Sequence, residues 1–269
     1  MRFGSFSSEV KHYLSVYKKF ISTSTAVAMS FRTSFVLMVM MDLMFFGSAY
    51  FTVDFIFDHV DMVMGWNRNQ FMLFLSYVLL VDGFHMIILS QNFWRFSDDL
   101  KSGQLDYTIL RPLSSIFSVF FRNIRPSSIP TLIPAIAVFS YYANLNGFNI
   151  LQWALIPLLL TLSLALLAVV EFVISCAMFW LVEGVGINFF RMQMQQLSRW
   201  PDLIYGAATK RVFSTLVPIL LVGSAPIHFL LDMNKWHYLL LMVVATGVFW
   251  VILLKLWERG LQVYDSASS

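Results

Sequence analysis

Charge is scarce in this chain. Lys and Arg number 18 and Asp and Glu 15 among 269 residues, so charged residues make up 12%, against about 25% in soluble globular proteins. With 58% apolar residues and a mean hydropathy of +0.72, the composition excludes a soluble domain. One core of this size cannot hide so much apolar surface. A disordered chain is excluded by the same numbers. Cysteine is nearly absent. Cys176 stands alone, which excludes a disulfide framework and a cysteine-rich zinc site. The period-2 alternation of a membrane barrel is missing too. So are the compact apolar core and cleavage site of a signal peptide within residues 1–30. A net charge of +3 gives no argument for nucleic acid.

What is there is a set of long apolar runs. A spanning helix needs about 20 apolar residues, and six runs qualify: Ser34–Phe51, Phe71–Ser90, Pro126–Tyr142, Leu151–Leu181, Val212–Leu231 and Tyr238–Trp257. The expected fold class is an all-α integral membrane protein in one membrane domain over residues 1–269. The third run carries Pro126, Pro130 and Pro134, so its helix should kink or begin within Leu113–Arg125. The fourth is long enough to tilt or protrude. Pro218, Gly223 and Pro226 interrupt the fifth, and 223–235 suits a short re-entrant element.

Ahead of the first span, Val10, Tyr13, Leu14, Tyr17, Phe20 and Ile21 share one helical face, with Lys11, Ser15, Lys18 and Lys19 opposite. That spacing predicts an amphipathic helix within residues 1–32, lying in the membrane interface. Basic residues are distributed unevenly. The N-terminal segment, the loop 91–125, the loop 182–211 and the chain end hold 16 Lys and Arg, against Arg68 and Lys235 elsewhere. The positive-inside rule then puts both termini in the cytoplasm.

The loop 91–125 is the richest stretch. Ser97 can cap a helix, with Asp98 and Asp99 in the first turn. Gly103 is a helix stop. A short apolar-faced piece, Leu105–Leu110, ends at Arg111-Pro112. Its run Asp99-Leu-Lys-Ser-Gly-Gln-Leu-Asp-Tyr-Thr-Ile-Leu-Arg-Pro-Leu-Ser114 resembles the cytoplasmic loop of type-2 ATP-binding-cassette (ABC) permeases. The pair Arg199-Trp-Pro201 and Val217-Pro-Ile-Leu-Leu-Val-Gly-Ser-Ala-Pro226 is similar to that family's pattern before the last span, with Trp200 where the family carries Tyr. The ending Trp257-Glu-Arg-Gly-Leu-Gln-Val-Tyr-Asp-Ser-Ala-Ser268 resembles its tail.

The resemblance implies the transmembrane subunit of an ABC exporter in a bacterial inner membrane, a single permease domain with an N-terminal elbow helix. Its coupling helix between spans two and three would dock on a nucleotide-binding subunit. Two ATPase copies and a second permease, identical or paralogous, would complete the particle. The fourth loop would make a smaller contact. Asp98, Asp99, Lys101, Gly103, Leu105, Asp106, Ile109, Leu110, Arg111 and Pro112 are the implied coupling residues, the Asp side chains meeting basic groups and Leu105, Ile109 and Leu110 serving as apolar anchors. The cargo would be lipid-like, glycan or amphipathic. The chain has no G-x-x-x-x-G-K-[ST] phosphate loop, so no cofactor is expected in it. ATP and Mg would sit on the ATPase partner.

Ionisable residues at membrane depth are functional candidates. Asp42, Asp82, His85 and Glu171 are the pathway or interface candidates here. Asp82 and His85 lie one turn apart and are expected to pair with each other or with Asp42. Glu171 has no evident partner in sequence. A proton relay through these groups would make a secondary transporter, and a scaffold without transport is the third reading. Ser224 and His228 are four apart but lack an orienting acid nearby, so neither is read as catalytic. No metal-ligand spacing appears.

Overall fold

The structure is a computed structural model that describes residues 6–181 and 184–264. Arg2, positions 182–183 of the expected 182–211 loop, and the Asp265–Ser268 end of the tail motif lie outside the described residues.

Twelve α-helices appear among the described residues. α1 (Phe6–Ser30) leads into α2 (Arg32–Phe57). A two-residue ladder follows, β1 (Met62–Val63) against β2 (Trp66–Asn67). Its turn uses Met64 at φ +49° and Gly65 at φ +86°, the left-handed pair that a tight hairpin needs. α3 (Arg68–Ile88) starts from a capping box in which the Asn67 side chain accepts from Gln70 N–H and Gln70 returns the bond. α4 (Ser90–Lys101) continues α3 with a break at Leu89, so together they run Arg68–Lys101.

Short helices α5 (Leu105–Ile109) and α6 (Ser115–Phe120) precede α7 (Ile129–Leu145). The third span does not begin within Leu113–Arg125. It begins with a 3-10 turn at Pro126–Ser128, where proline lacks only an N–H that the first turn leaves unused. α8 (Ile150–Ser175) has a second capping box, Asn149 with Gln152, and runs on through a 3-10 turn to Phe179. α9 (Gly184–Ser198), α10 (Ala207–Arg211), α11 (Leu221–Leu231) and α12 (His237–Val263) complete the chain.

Five of these helical stretches are long and apolar enough to cross a membrane: Arg32–Phe57, Arg68–Lys101, Pro126–Leu145, Ile150–Phe179 and Met233–Val263. A sixth apolar stretch is broken, Ala207–Leu216 meeting Pro218–Leu231 at 86°. The multi-pass, all-α reading of the sequence therefore stands. α3 is buried nearly all round, which is why Phe71–Val81 reads apolar without a polar face. One apolar cluster fills the hairpin half of the bundle, around Phe74, Tyr77 and Phe139. A second fills the opposite half, around Phe93, Phe120, Phe172 and Trp257.

Within the segment read as the loop 182–211, the described residues 184–211 are mostly helical, and α9 lays one buried face against the bundle. α9 begins against Ser97 of α4, where a Cβ on Gly184 would fall 2.0 Å from Ser97 Oγ. It then passes Phe93 and Asp82 in turn. Beyond it, Trp200 meets Phe71, and Asp202 meets His228, which in turn contacts Trp66 of the hairpin. This path carries the chain from the end bearing α4 and α5 to the hairpin end. Hydropathy misses α9 because its buried face is polar. The stretch read as the fifth span is the bent pair instead. α11 occupies the hairpin half, with Val222 O accepting from Ser163 and Leu230 O from Gln152.

α1 follows the expected helical spacing, but its apolar face is divided. Tyr13, Tyr17 and Phe20 surround Phe117 of α6. Val10, Leu14 and Ile21 stay exposed. Ser114 N–H donates to Tyr13 Oη at 3.0 Å and Ile124 N–H to Ser24 Oγ at 3.1 Å. Both bonds fasten α1 to the 91–125 region.

Candidate functional site

The end of the bundle opposite the hairpin presents α4 and α5. α4 stops where the sequence places its stop: Gly103 takes φ +71°, and Ser102 N–H closes on Asp98 O. Ser97 is not a cap. It is buried in the middle of α4, because the helix starts at Ser90 as an extension of α3.

Burial divides the predicted coupling residues. Asp98, Lys101, Ile109, Leu110, Arg111 and Pro112 are exposed. Asp99, Gly103 and Leu105 are buried. Asp99 does not reach outward as expected: its Oδ2 takes a hydrogen bond from Arg122 Nη2 at 2.9 Å. Leu105 is fully buried and belongs to the apolar cluster that holds Phe93 and Phe120, so it anchors α5 to the bundle. Asp106 is half-buried, against Tyr264. Burial first, and that carboxylate second, hold the Tyr264 phenol above its ordinary pKa. Tyr107, 73% exposed, stands one turn from Leu110, 81% exposed. It was not singled out from the sequence, although the i, i+3 spacing puts both on one face.

The last helix braces this surface from behind. Trp257 Nε1 donates to Ser115 Oγ at 2.9 Å. A Cβ on Gly260 would fall 2.2 Å from the Phe179 ring, so only glycine lets α12 approach here. The tail motif thus meets the same α4–α6 region as the loop motif.

The second set of candidates lies inside the bundle. Asp82 and His85 do not pair with each other or with Asp42. Each acid reaches a basic residue far away in sequence. Asp42 of α2 accepts from Arg125 Nη2 at 2.9 Å and from Ser128 Oγ at 2.7 Å. Asp82 accepts from Arg199 Nε at 2.7 Å and Gln195 Nε2 at 3.0 Å. Glu171 has partners on both sides: Arg191 Nη1 at 2.8 Å and His85 Nε2 at 2.5 Å. Arg191 is itself buried, its guanidinium 3.9 Å from the Phe93 ring centroid. His228 also finds an acid, Asp202 Oδ1 at 2.8 Å, and Lys210 reaches the other oxygen at 2.7 Å.

Charges at this depth are tolerated only when paired. The pairing places Asp42, Asp82, His85 and Glu171 in structural contacts between helices rather than on an open wall. The partners Arg191, Gln195, Arg199 and Asp202 were missed. A signal for two of them, Arg191 and Gln195, was present: Asn188, Arg191, Gln195 and Ser198 recur at helical spacing, and all four are buried. With Phe189, Phe190 and Met192 exposed on the other side, the stripe marks a helix whose polar face is turned into the bundle.

A groove of about 190 Å³ runs between α2, α3 and the end of α9. Ser48 and Thr52 line it from α2, and Gln196, Arg199 and Trp200 from the far side. Arg199 lies over the Phe45 ring, 4.8 Å from its centroid. Of the predicted pathway residues none lines this groove. Among the described residues no cluster of three metal-ligating side chains occurs.

A family model described as ABC-2 family transporter protein matches residues 28–268. No curated protein and no solved structure matches the chain.

Proposed function

This chain belongs to the ABC-2 family of transporter proteins, and from that premise we propose that it is the permease subunit of an exporter driven by a separate ATPase. Membership in the family implies an ABC ATPase partner. Two ATPase copies, a second permease and a bacterial inner membrane with both termini cytoplasmic complete the reading. The cargo is lipid-like, glycan or amphipathic.

The observation that supports it is the face of α4 and α5. Tyr107, Ile109 and Leu110 stand exposed among Asp98, Lys101 and Arg111. Apolar anchors ringed by charge suit a protein partner. The face is also mechanically continuous with the bundle. α4 extends α3, and α3 carries Asp82 and His85 into ion pairs with Arg199, just past α9, and with Glu171 of α8. A push on α5 would therefore reach those contacts through one nearly continuous helix.

α1 is the elbow helix in this reading, its exposed Val10, Leu14 and Ile21 resting in lipid. The groove beside Arg199 and Trp200 is the wall past which cargo moves. A proton-coupled carrier would instead use the buried His85–Glu171 pair.

Co-purification of the full chain with an ABC ATPase from its own cell tests the proposal, followed by transport in vesicles. The expected result is a stable complex whose transport needs ATP and survives an uncoupler. No complex, or transport that collapses with the proton gradient and persists without ATP, overturns it.

A further inference from the structure

A cleft of about 380 Å³ opens where α1 turns into α2. Its walls are of two kinds. Val27 of α1, Phe31 at the turn, and Phe35 and Met38 of α2 form an apolar side. Facing them are Arg95 of α4 and Arg125 just before α7.

The charge in the cleft does not balance. Arg125 is held by Asp42 at 2.9 Å. Arg95 is exposed and has no carboxylate within salt-bridge distance among the described residues. One positive charge is left beside an apolar wall. Arg95 sits one turn after Gln91 on α4, and both line the cleft with Ser24, so an amide and a hydroxyl share the cleft with the guanidinium. The position in the bundle matters as well. The cleft opens at the bend of an amphipathic helix whose exposed apolar face belongs at a lipid interface.

We propose that this cleft binds one anionic phospholipid. Its phosphodiester lies against Arg95, with Gln91 and Ser24 in reach, and an acyl chain follows Val27, Phe31, Phe35 and Met38. A phosphodiester carries a single negative charge, which matches the single uncompensated guanidinium. Arginine also offers a fork of donors suited to phosphate oxygens. Basic pockets between membrane helices at the cytoplasmic side take such headgroups. A free phosphate would leave the apolar wall in water, and a zwitterionic lipid would bring a second cation into the cleft beside Arg95. The site is independent of the transport reading, because it requires only that the chain sits in a bilayer.

The full chain, reconstituted in phosphatidylcholine vesicles with and without phosphatidylglycerol and re-extracted, is examined by native mass spectrometry for retained lipid. Wild type is expected to keep one phosphatidylglycerol. Arg95→Gln should lower its retention about fivefold, the worth of one basic residue at an anionic lipid surface. Val27→Trp, which fills the apolar arm and keeps the charge, should lower it as well. Arg259→Gln, an exposed arginine on α12, should not. Should Arg95→Gln fail to fold, Val27→Trp and competition carry the test. Equal retention by wild type and the cleft variants overturns the proposal. So does displacement of the lipid by millimolar inorganic phosphate, or retention of phosphatidylcholine as readily as phosphatidylglycerol.

Discussion

Arg191 of α9 reaches Glu171 of α8 at 2.8 Å, with the two side chains only 2% and 1% exposed. Neither residue is near the other in sequence. Their contact joins the helix that hydropathy detects best to the one it does not detect. Removing one partner leaves a buried charge without its counter-ion, which costs about 3 kcal/mol or more. Glu171→Gln and Arg191→Met are each expected to lower thermal stability in detergent by that order. The double variant should recover much of the loss, because it removes both charges. Additive losses in the cycle would show that the pair is not the unit that stabilises α9.

The path of α9 is testable by labelling from either side of the membrane. Cys176 is the only cysteine and is buried, so the background with an impermeant maleimide should be silent. Single cysteines at Arg211, Arg68 and Lys101 then report sidedness with an impermeant maleimide. Arg211→Cys and Arg68→Cys should react from the same side, and Lys101→Cys from the other. Reaction of Arg211→Cys together with Lys101→Cys would return 182–211 to the loop expected from hydropathy and abolish the crossing by α9.

The α4–α5 face separates two effects that the sequence alone joins. Leu110 and Tyr107 are exposed, so Leu110→Asp or Tyr107→Ala should weaken ATPase capture about tenfold, near 1.4 kcal/mol, with thermal stability unchanged. Asp99→Asn should do the opposite. It takes away the carboxylate that Arg122 needs and should lower stability first. Charge reversal at Asp98, which is exposed, tests the electrostatic part of docking without that confusion. A Leu110→Asp variant that keeps full capture would remove the face from the interface.

Much of the bundle was legible because apolar runs are one-dimensional signals. Arg32–Phe57, Arg68–Lys101 and His237–Val263 each contain a run read directly from composition. Gly103 and the α5 piece were legible from turn chemistry alone. α9 was not, since pattern rules equate polar with exposed, and its arginine and amides face inward to meet Glu171 and Asp82. The same reversal hid the site. Asp82 and His85 look like a local i, i+3 pair, yet long-range partners with better geometry outcompete that contact. Leu105 reads as outward-facing because its burial depends on Phe93 and Phe96 of α4 and Phe120 of α6, and Asp99 because its partner Arg122 lies far along the chain.

Gly260 gives the sharpest steric test. A methyl group there would meet Phe179 at 2.2 Å, in the layer where Trp257 and Phe96 also pack. Overpacking a filled site costs about 1–3 kcal/mol. Gly260→Ala should therefore lower thermal stability by that order. Because α12 braces α6 through Trp257 and Ser115, it should also weaken ATPase capture, although Gly260 itself is buried. Phe179→Leu in the same chain frees space for the methyl group and should return both properties toward wild type. Gly206→Ala is the control: nothing lies within 4 Å of its added carbon, and it should shift stability by less than about 0.5 kcal/mol. If Gly260→Ala behaves like Gly206→Ala, the tail does not press on the docking face, and the loop and tail motifs act separately.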